Sequence, residues 1–190
     1  QVLFTTTVDE GGSQAYTLAG GAVVVLDDPM SANGVVLSNV LQTISAAVTG
    51  TGSVLRLVLE ANTDGGSEAF AFQNIVISEP SPPIAFDMVG SASQNLISHI
   101  NDFEGAFSSP GDGFQKYQRG VSATIPFSVL DDSLVTFPPD TQGIIDDDNL
   151  DQFFGVTDTV NGDNPGGDVD AEWQFDVSGA AGLVVSLDMG

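Results

Sequence analysis

The chain has 190 residues, of which 42% are hydrophobic, so it can bury a core and lacks the composition of a disordered protein. Its 26 acidic residues face only three basic ones, Arg56, Lys116 and Arg119, and the formal net charge is -23. Because such a surface repels nucleic acid and anionic lipid, we expect neither as a partner. The absence of cysteine excludes disulfide bonds and a thiolate zinc site.

The acidic surface also indicates where the protein works. High salt screens the repulsion between carboxylates and divalent cations neutralise it, so both conditions predict an extracellular or cell-surface location. No apolar run approaches the roughly 20 residues that cross a bilayer, and we expect no membrane insertion. The sequence starts at Gln1, with no basic segment before an apolar one, so we expect that a signal peptide was removed or lies upstream.

Runs rich in Val, Leu, Ile, Thr and Phe, punctuated by Gly, Asn, Asp or Pro, are typical of a β-sandwich. In the first part of the chain they predict strands over residues 2–8, 14–18, 22–26, 42–48, 54–60 and 69–77. Leu55, Leu57 and Leu59 fall on alternate positions, as in a half-buried antiparallel strand. The Asp-Gly-Gly turn at residues 64–66 predicts a hairpin between the last two of these strands.

A proline-rich break follows. The sequence Glu-Pro-Ser-Pro-Pro over residues 79–83 is stiff and extended, because each proline lacks a backbone donor and disfavours helix before it. We therefore divide the chain into residues 1–79, a break at 80–83, and residues 84–190. Beyond the break we predict a short helix over 91–100, strands over 103–113, 121–130, 172–177 and 183–187, and a long acidic loop over 141–167.

Three stretches carry a resemblance to a known type of module: SEAFAFQNIVIS (67–78), HINDFEGAFSSPGDGFQKYQRGVS (99–122) and DAEWQFDVSGAAGLVVSLDMG (170–190). Together they resemble jelly-roll modules of large secreted proteins of marine bacteria, of the adhesin and extracellular-nuclease kind. The resemblance implies an all-β, antiparallel, jelly-roll-like sandwich. It places residues 102–105 in the opening strand and residues 72–75 in the closing strand, while shared patterning leaves the function open.

The opening-strand motif follows the closing-strand motif, which is the order that a cut inside each repeat of a tandem array would give. Two arrangements are open. Either the chain closes on itself as a permuted sandwich, or residues 1–79 of one molecule complete the sheet begun by residues 84–190 of a neighbouring subunit. The second arrangement would build a head-to-tail polymer, because open sheet edges pair with other chains. We therefore expect self-association or tandem neighbours as partners.

Ca²⁺ is the expected cofactor, because it binds carboxylate and carbonyl oxygens in flexible loops, where this chain concentrates its acids. No EF-hand spacing is present, so the expectation rests on composition. On a strand, Asp168, Asp170 and Glu172 would share one face and repel each other unless a cation lay among them. The resemblance adds a calcium that ties Glu104 to Asp188. The candidate ligands are Asp146, Asp147, Asp148, Asp151, Asp163, Asp168, Asp170, Glu172, Glu104 and Asp188.

Lys116, Tyr117 and Arg119 form the basic spot of an acidic chain. This spot could dock an acidic face of a neighbouring subunit or, with Tyr117 as an aromatic platform, a polysaccharide. Trp173 is a second aromatic candidate for ligand contact, although its place before Phe175 favours a core role.

We expect no enzyme and no catalytic residues. The single histidine, His99, is more typical of a capping or surface residue than of a catalyst, and neither G-x-S-x-G nor H-E-x-x-H occurs. The sequence thus predicts a secreted structural or adhesive module, stabilised by Ca²⁺, that could assemble head to tail into a filament or surface layer. The alternative is a carbohydrate-binding module of a secreted hydrolase or adhesin.

Overall fold

A computed structural model describes residues 3, 31–32, 35–36, 40–50, 52–66, 68–79, 83–87, 92–131 and 143–190. Within these ranges nearly all regular structure is β, and the one helix is a single 3-10 turn at Phe127–Val129. The strands are β1 (Ser31–Ala32), β2 (Val35–Val36), β3 (Gln42–Ala47), β4 (Val54–Ala61), β5 (Ala69–Ser78), β6 (Pro83–Asp87), β7 (Ser93–Gln94), β8 (Leu96–Asn101), β9 (Gly113–Tyr117), β10 (Phe153–Thr157), β11 (Val169–Asp176) and β12 (Val184–Met189).

These strands build two antiparallel sheets that pack face to face, which confirms the predicted all-β antiparallel sandwich. The larger sheet has the order β3-β12-β5-β10-β9, with β6 also paired to β5 and β7 paired to β6. The smaller sheet has the order β4-β11-β8, and β1 pairs with β2 in a separate ribbon. No helix in the described ranges is long and apolar enough to cross a membrane.

Strand β5 changes partner half-way along one edge. Its residues 69–72 pair with β10, whereas residues 75–78 pair with β6. The change falls at Gln73 and Asn74, and Asn74 has a φ of 59°, a left-handed conformation that Asn adopts more readily than most residues. The gap is closed by amides, since Nδ2 of Asn149 donates to Oε1 of Gln73 over 3.1 Å.

The core lies between the sheets because each strand alternates inward and outward side chains. On β11, Ala171, Trp173 and Phe175 are buried, and Trp173 lies edge-on to Phe154 of β10, with ring centroids 5.5 Å apart. From β4, the predicted half-buried face of Leu55, Leu57 and Leu59 packs against this core. The alternation expected for this strand is confirmed.

A second apolar cluster covers the other face of the larger sheet. Tyr117 and Phe153 pack there against Val129 and Ile145 of a cover segment, which we define as residues 120–131 and 143–147. The two parts of the cover segment lie close together at Gly143, where an added Cβ would lie 1.8 Å from the carbonyl carbon of Leu130. Because the sheet is covered on both faces, every residue of β10 is buried.

Both ends of the described sequence contribute to both sheets. Strand β12 lies between β3 and β5, and β11 lies between β4 and β8. Residues before and after the proline-rich break therefore complete each other's sheets within one chain, as in the first of the two arrangements considered above. Of the break itself, residues 80–82 lie outside the described residues, and Pro83 begins β6.

Several elements differ from their prediction. The helix expected over 91–100 is wrong, because its described residues form β7 and β8. Residues 103–112 and 121–126 form turns and loops rather than strands, and so do residues 102–105, the expected opening strand. The expected hairpin at residues 64–66 is a crossover, since β4 and β5 belong to different sheets. The expected loop 141–167 contains β10. The strands predicted over 2–8, 14–18 and 22–26 lie outside the described residues.

Candidate functional site

A charged pair lies inside the sandwich, near the point where β5 changes partner. Nζ of Lys116 donates to Oδ2 of Asp87 over 3.2 Å, and their side chains are 20% and 4% exposed. Nε1 of Trp173, from the smaller sheet, donates to the same oxygen over 3.0 Å. We call Asp87, Lys116, Trp173 and His99 the buried polar cluster. It joins four strands, β6 and β9 of the larger sheet and β8 and β11 of the smaller sheet.

The strand pattern explains why these charges point inward. On β9, Lys116 lies two residues after the fully buried Phe114, and on β6, Asp87 lies two residues after the fully buried Ala85. Positions two apart on a strand share a face, so each charge continues an apolar inward face. Burying either charge alone would be costly, and the pair is tolerated because the two compensate each other.

His99 completes the cluster from β8. It lies opposite Trp173 in the register of β8 and β11, and the two ring centroids are 4.4 Å apart. Neither ring nitrogen has a hydrogen-bond partner among the described residues. Burial lowers the pKa of His99 and the charge of Lys116 lowers it further, against smaller opposing effects of the Glu172 backbone and then of the charges of Asp87 and Glu104. The surroundings of the imidazole therefore disfavour its protonated form.

The structure does not place Lys116, Tyr117 and Arg119 in an exposed basic patch. Lys116 is paired inside the sandwich, and Tyr117 is 2% exposed, with its pKa raised by burial and then by the charge of Asp112. Trp173 is 1% exposed in the core. These burials correct the expectation that the side chains of Lys116, Tyr117 and Trp173 are open to a ligand or a subunit.

Arg119 has a structural task on the cover segment. Its Nη2 donates to the carbonyl oxygens of Asp131 and Ile145 over 3.2 and 2.6 Å, and its Nε donates to that of Asp146 over 3.2 Å. A carboxylate oxygen of Asp147 lies 3.9 Å from Nη2. The guanidinium thus ties both parts of the cover segment to the end of β9, and its expected role in ligand or subunit contact stays a prediction.

Four of the calcium candidates lie in the turn at residues 146–151, where the cover segment ends. Asp146, Asp148 and Asp151 are exposed, while Asp147 faces Arg119. The backbone of this turn is held by its own groups, since the amide of Asn149 donates to the carbonyl oxygen of Asp146 over 3.0 Å. The carboxylates of Asp146, Asp148 and Asp151 are exposed and accessible to cations in solution.

Asp163 and Asp168 bind neighbouring loops. Oδ2 of Asp163 accepts from the amide and the hydroxyl of Ser108 over 2.8 and 2.7 Å, and these bonds lower its pKa. Oδ1 of Asp168 accepts from Nδ2 of Asn62 over 2.8 Å.

Asp170 and Glu172 share the outer face of β11, while Asp168 immediately precedes this strand. Glu172 is paired with Arg56 of β4, and hydrogen bonds from Gln174 and then Arg56 lower its pKa. Arg56 thus relieves part of the repulsion that the sequence predicts on this face.

The pair suggested by the resemblance is not brought together. Asp188 accepts hydrogen bonds from Thr43 Oγ1 and Asn74 Nδ2, over 2.5 and 2.8 Å, whereas Glu104 is exposed in the turn after β8. In the described ranges no three His, Asp or Glu side chains lie together as a group that could hold a metal ion. Calcium binding stays a prediction from composition.

Two shallow cavities mark the described surface. The first, about 140 Å³, is lined by residues including Ser108, Ser109, Gln115 and Tyr117. The second, about 260 Å³, lies at the end of the smaller sheet near Glu79 and Asp176. Both are smaller than the roughly 300–1,000 Å³ that is usual for pockets of small-molecule ligands.

No family model, curated protein or solved structure matches this chain. The resemblance to secreted marine-bacterial modules therefore stays a prediction. From the sequence, Lys116 and Trp173 were expected as ligand contacts and His99 as a capping or surface residue, and Asp87 was not expected at a site. The available signal was the inward alternation of β6 and β9, in which a charged residue takes an apolar position in each strand.

Proposed function

We propose that the chain is an extracellular structural or adhesive module that associates with further copies of itself. The observation that carries this proposal is a set of exposed aliphatic side chains on β4 and β8, the two outer strands of the smaller sheet. Val54, Val58, Ile97 and Ile100 are 50, 38, 54 and 49% exposed. Val58 and Ile100 lie on either side of Glu172 on the outer face of this sheet. Exposed aliphatic side chains on a sheet face are one mark of a contact surface.

The charge of the chain makes this association dependent on ions. Two copies that each carry a net charge of -23 repel each other in dilute buffer, and high salt or Ca²⁺ reduces that repulsion. The exposed carboxylates of the turn at residues 146–151 are available for such neutralisation. We therefore place the module in a saline extracellular setting, where it contributes to a filament, a surface layer or an adhesive array and performs no chemistry on a substrate.

Sedimentation or light scattering against protein concentration tests this proposal. We expect the mass of the particles to grow with added CaCl₂ or NaCl and to return to that of a monomer after chelation and desalting. Changing Val58 and Ile100 to Thr keeps the β propensity of the strands but removes the aliphatic contact, and it should abolish the growth. The matched control is Val121→Thr, since Val121 is 73% exposed elsewhere on the chain. A chain that stays monomeric in every buffer contradicts the proposal.

A carbohydrate-binding role is the second candidate, and the cavity near Gln115 favours it. Its lining combines hydroxyl and amide groups with the ring of Phe107, which is the chemistry that binds a sugar. A glycan array tests this role. Binding that is lost in Gln115→Ala and kept in Val58→Thr would support a carbohydrate-binding role. Binding to no glycan on the array would contradict it.

A further inference from the structure

The chain contains one lysine, and that lysine is directed into the core. Of the three basic residues, two are arginines, and the third is Lys116, whose Nζ lies 3.2 Å from Oδ2 of Asp87. For a buried ion pair, arginine is the more suitable residue, because its planar guanidinium binds a carboxylate through two donors. Lysine differs in that it can lose its proton when buried and become a nucleophile. The choice of lysine at this position calls for a chemical reason.

The surroundings of the pair match the needs of an amide-forming reaction. Nζ lies 3.2 Å from Oδ2, which is bonded to the carbon that Nζ would attack, and strands β6 and β9 hold both side chains. Trp173 donates its indole N–H to Oδ2, the oxygen on which negative charge would develop when Cγ is attacked. The rings of Trp173 and Phe154 belong to the same core, and the Asp87 side chain is only 4% exposed, which limits the access of water to its carboxyl group.

We propose that Lys116 and Asp87 condense spontaneously into an intramolecular isopeptide bond that links β9 to β6. One proton passes from Nζ to Oδ1 of the carboxylate, with His99 as the relay, and leaves a neutral amine and a neutral acid. Nζ then forms a bond to Cγ, and the bond from Cγ to Oδ1 breaks. The departing oxygen takes its own proton and one from the nitrogen and leaves as water. Oδ2 remains as the amide oxygen and keeps its hydrogen bond from Trp173.

His99 supplies a route for the proton that leaves the nitrogen. Its ring is stacked on Trp173, and its nitrogens have no hydrogen-bond partner in the part of the chain that the structure describes. Trp173 in turn bonds Asp87, so the imidazole lies one side chain away from the pair. In this proposal it accepts the proton and returns it to the departing oxygen. No oxidant, metal or second substrate is needed, and the reaction is independent of the self-association proposed above.

The bond would join two strands that are not hydrogen-bonded to each other. Strand β9 pairs with β10, whereas β6 pairs with β5 and β7. The link closes a loop between residues 29 apart, and it would hold together the two halves of the larger sheet across the point where β5 changes partner.

Mass spectrometry of the denatured chain tests the proposal, and the single lysine makes the test clean. The intact mass should be lower than the sequence mass by one water molecule. Trypsin cleaves after Arg56, Lys116 and Arg119, and it requires a free lysine amine. The linked chain should therefore yield a fragment of residues 57–119 that lacks one water, and its fragmentation spectrum should connect Asp87 to Lys116.

Lys116→Arg is the matched control, because it keeps the positive charge but its guanidinium does not condense. This variant should show its full sequence mass and cleavage after residue 116. If the variant fails to fold, the result on the unaltered chain still decides. Full sequence mass together with free cleavage after Lys116, in folded protein incubated for days before denaturation, would overturn the proposal and leave Asp87 and Lys116 as an ion pair. A missing water that maps elsewhere would overturn it equally.

Discussion

Replacing Trp173 with Phe tests how much the buried polar cluster supports the sandwich. The indole is 1% exposed and packs against Phe72 and Phe154, while its N–H bonds Asp87. Phenylalanine keeps most of the ring packing but leaves Oδ2 without this donor, at a cost of about 1–3 kcal/mol. The cavity beside the smaller ring adds about 1 kcal/mol. We expect the free energy of unfolding to fall by about 3 kcal/mol, which lowers Tm by roughly 9 °C for a chain of this length.

Thermal and urea unfolding followed by circular dichroism measures this loss, because the substitution removes the only tryptophan that fluorescence could report. The matched control is Phe175→Leu on the same strand, where the side chain is 0% exposed and carries no polar group. We expect that change to cost about 1 kcal/mol. If Trp173→Phe costs no more than Phe175→Leu, the bond from the indole to Asp87 does not stabilise the fold, and the reasoning is refuted.

Four further predictions follow from particular contacts. Arg119→Ala should cost about 2 kcal/mol and expose the cover segment to limited proteolysis, because three carbonyl oxygens each lose one donor and the two parts of the segment lose their link; unchanged protection would contradict this role. The pKa of His99 is lower in the folded than in the unfolded chain, so stability should be complete above the unfolded pKa of about 6.5 and fall as the pH drops towards the folded value. Urea midpoints from about pH 7.5 to pH 5 should show this slope in the unaltered chain and a weaker one in His99→Gln, and equal slopes would refute it. Gly143→Ala should unfold the cover segment or the chain, since the new Cβ would lie 1.8 Å from Leu130, whereas Gly162→Ala, with no atom within 4 Å, should change stability by less than about 0.5 kcal/mol in the same assay. Added CaCl₂ should raise Tm more than MgCl₂ at equal ionic strength, and equal Tm values with and without chelator would remove the calcium prediction.

The pattern of the sequence predicted the strands in which inward and outward side chains alternate. Strands β3, β4 and β12 were predicted to within one or two residues, because one of their faces is buried and the other is not. Strand β10 was missed because the cover segment buries its second face, so its five residues show no alternation and lie between acidic runs. Strand β8 was read as part of a helix, since Ser91 and Ser93, which precede it, were candidate caps.

The candidate site was only half visible in the sequence. A lysine and an aspartate that each take an apolar position on a strand indicate two buried charges, but nothing local shows that they meet. Their contact depends on β6 and β10 sharing one edge of β5, which is decided by the whole topology. For the same reason the Lys-Tyr-Arg spot looked like a surface patch. Tyr117 instead packs in the second apolar cluster, and Arg119 donates hydrogen bonds to the cover segment.

The central claim is that one chain supplies both sheets, with β12 inserted between β3 and β5. Ser45 of β3 and Ser186 of β12 are opposite each other, with hydroxyl oxygens 2.7 Å apart, and the chain has no cysteine of its own. Changing both to Cys and oxidising the folded protein at low concentration should give a disulfide within one chain, seen as a monomer band without reductant. A ladder of covalently linked chains would show that β12 completes the sheet of another molecule and would contradict the account.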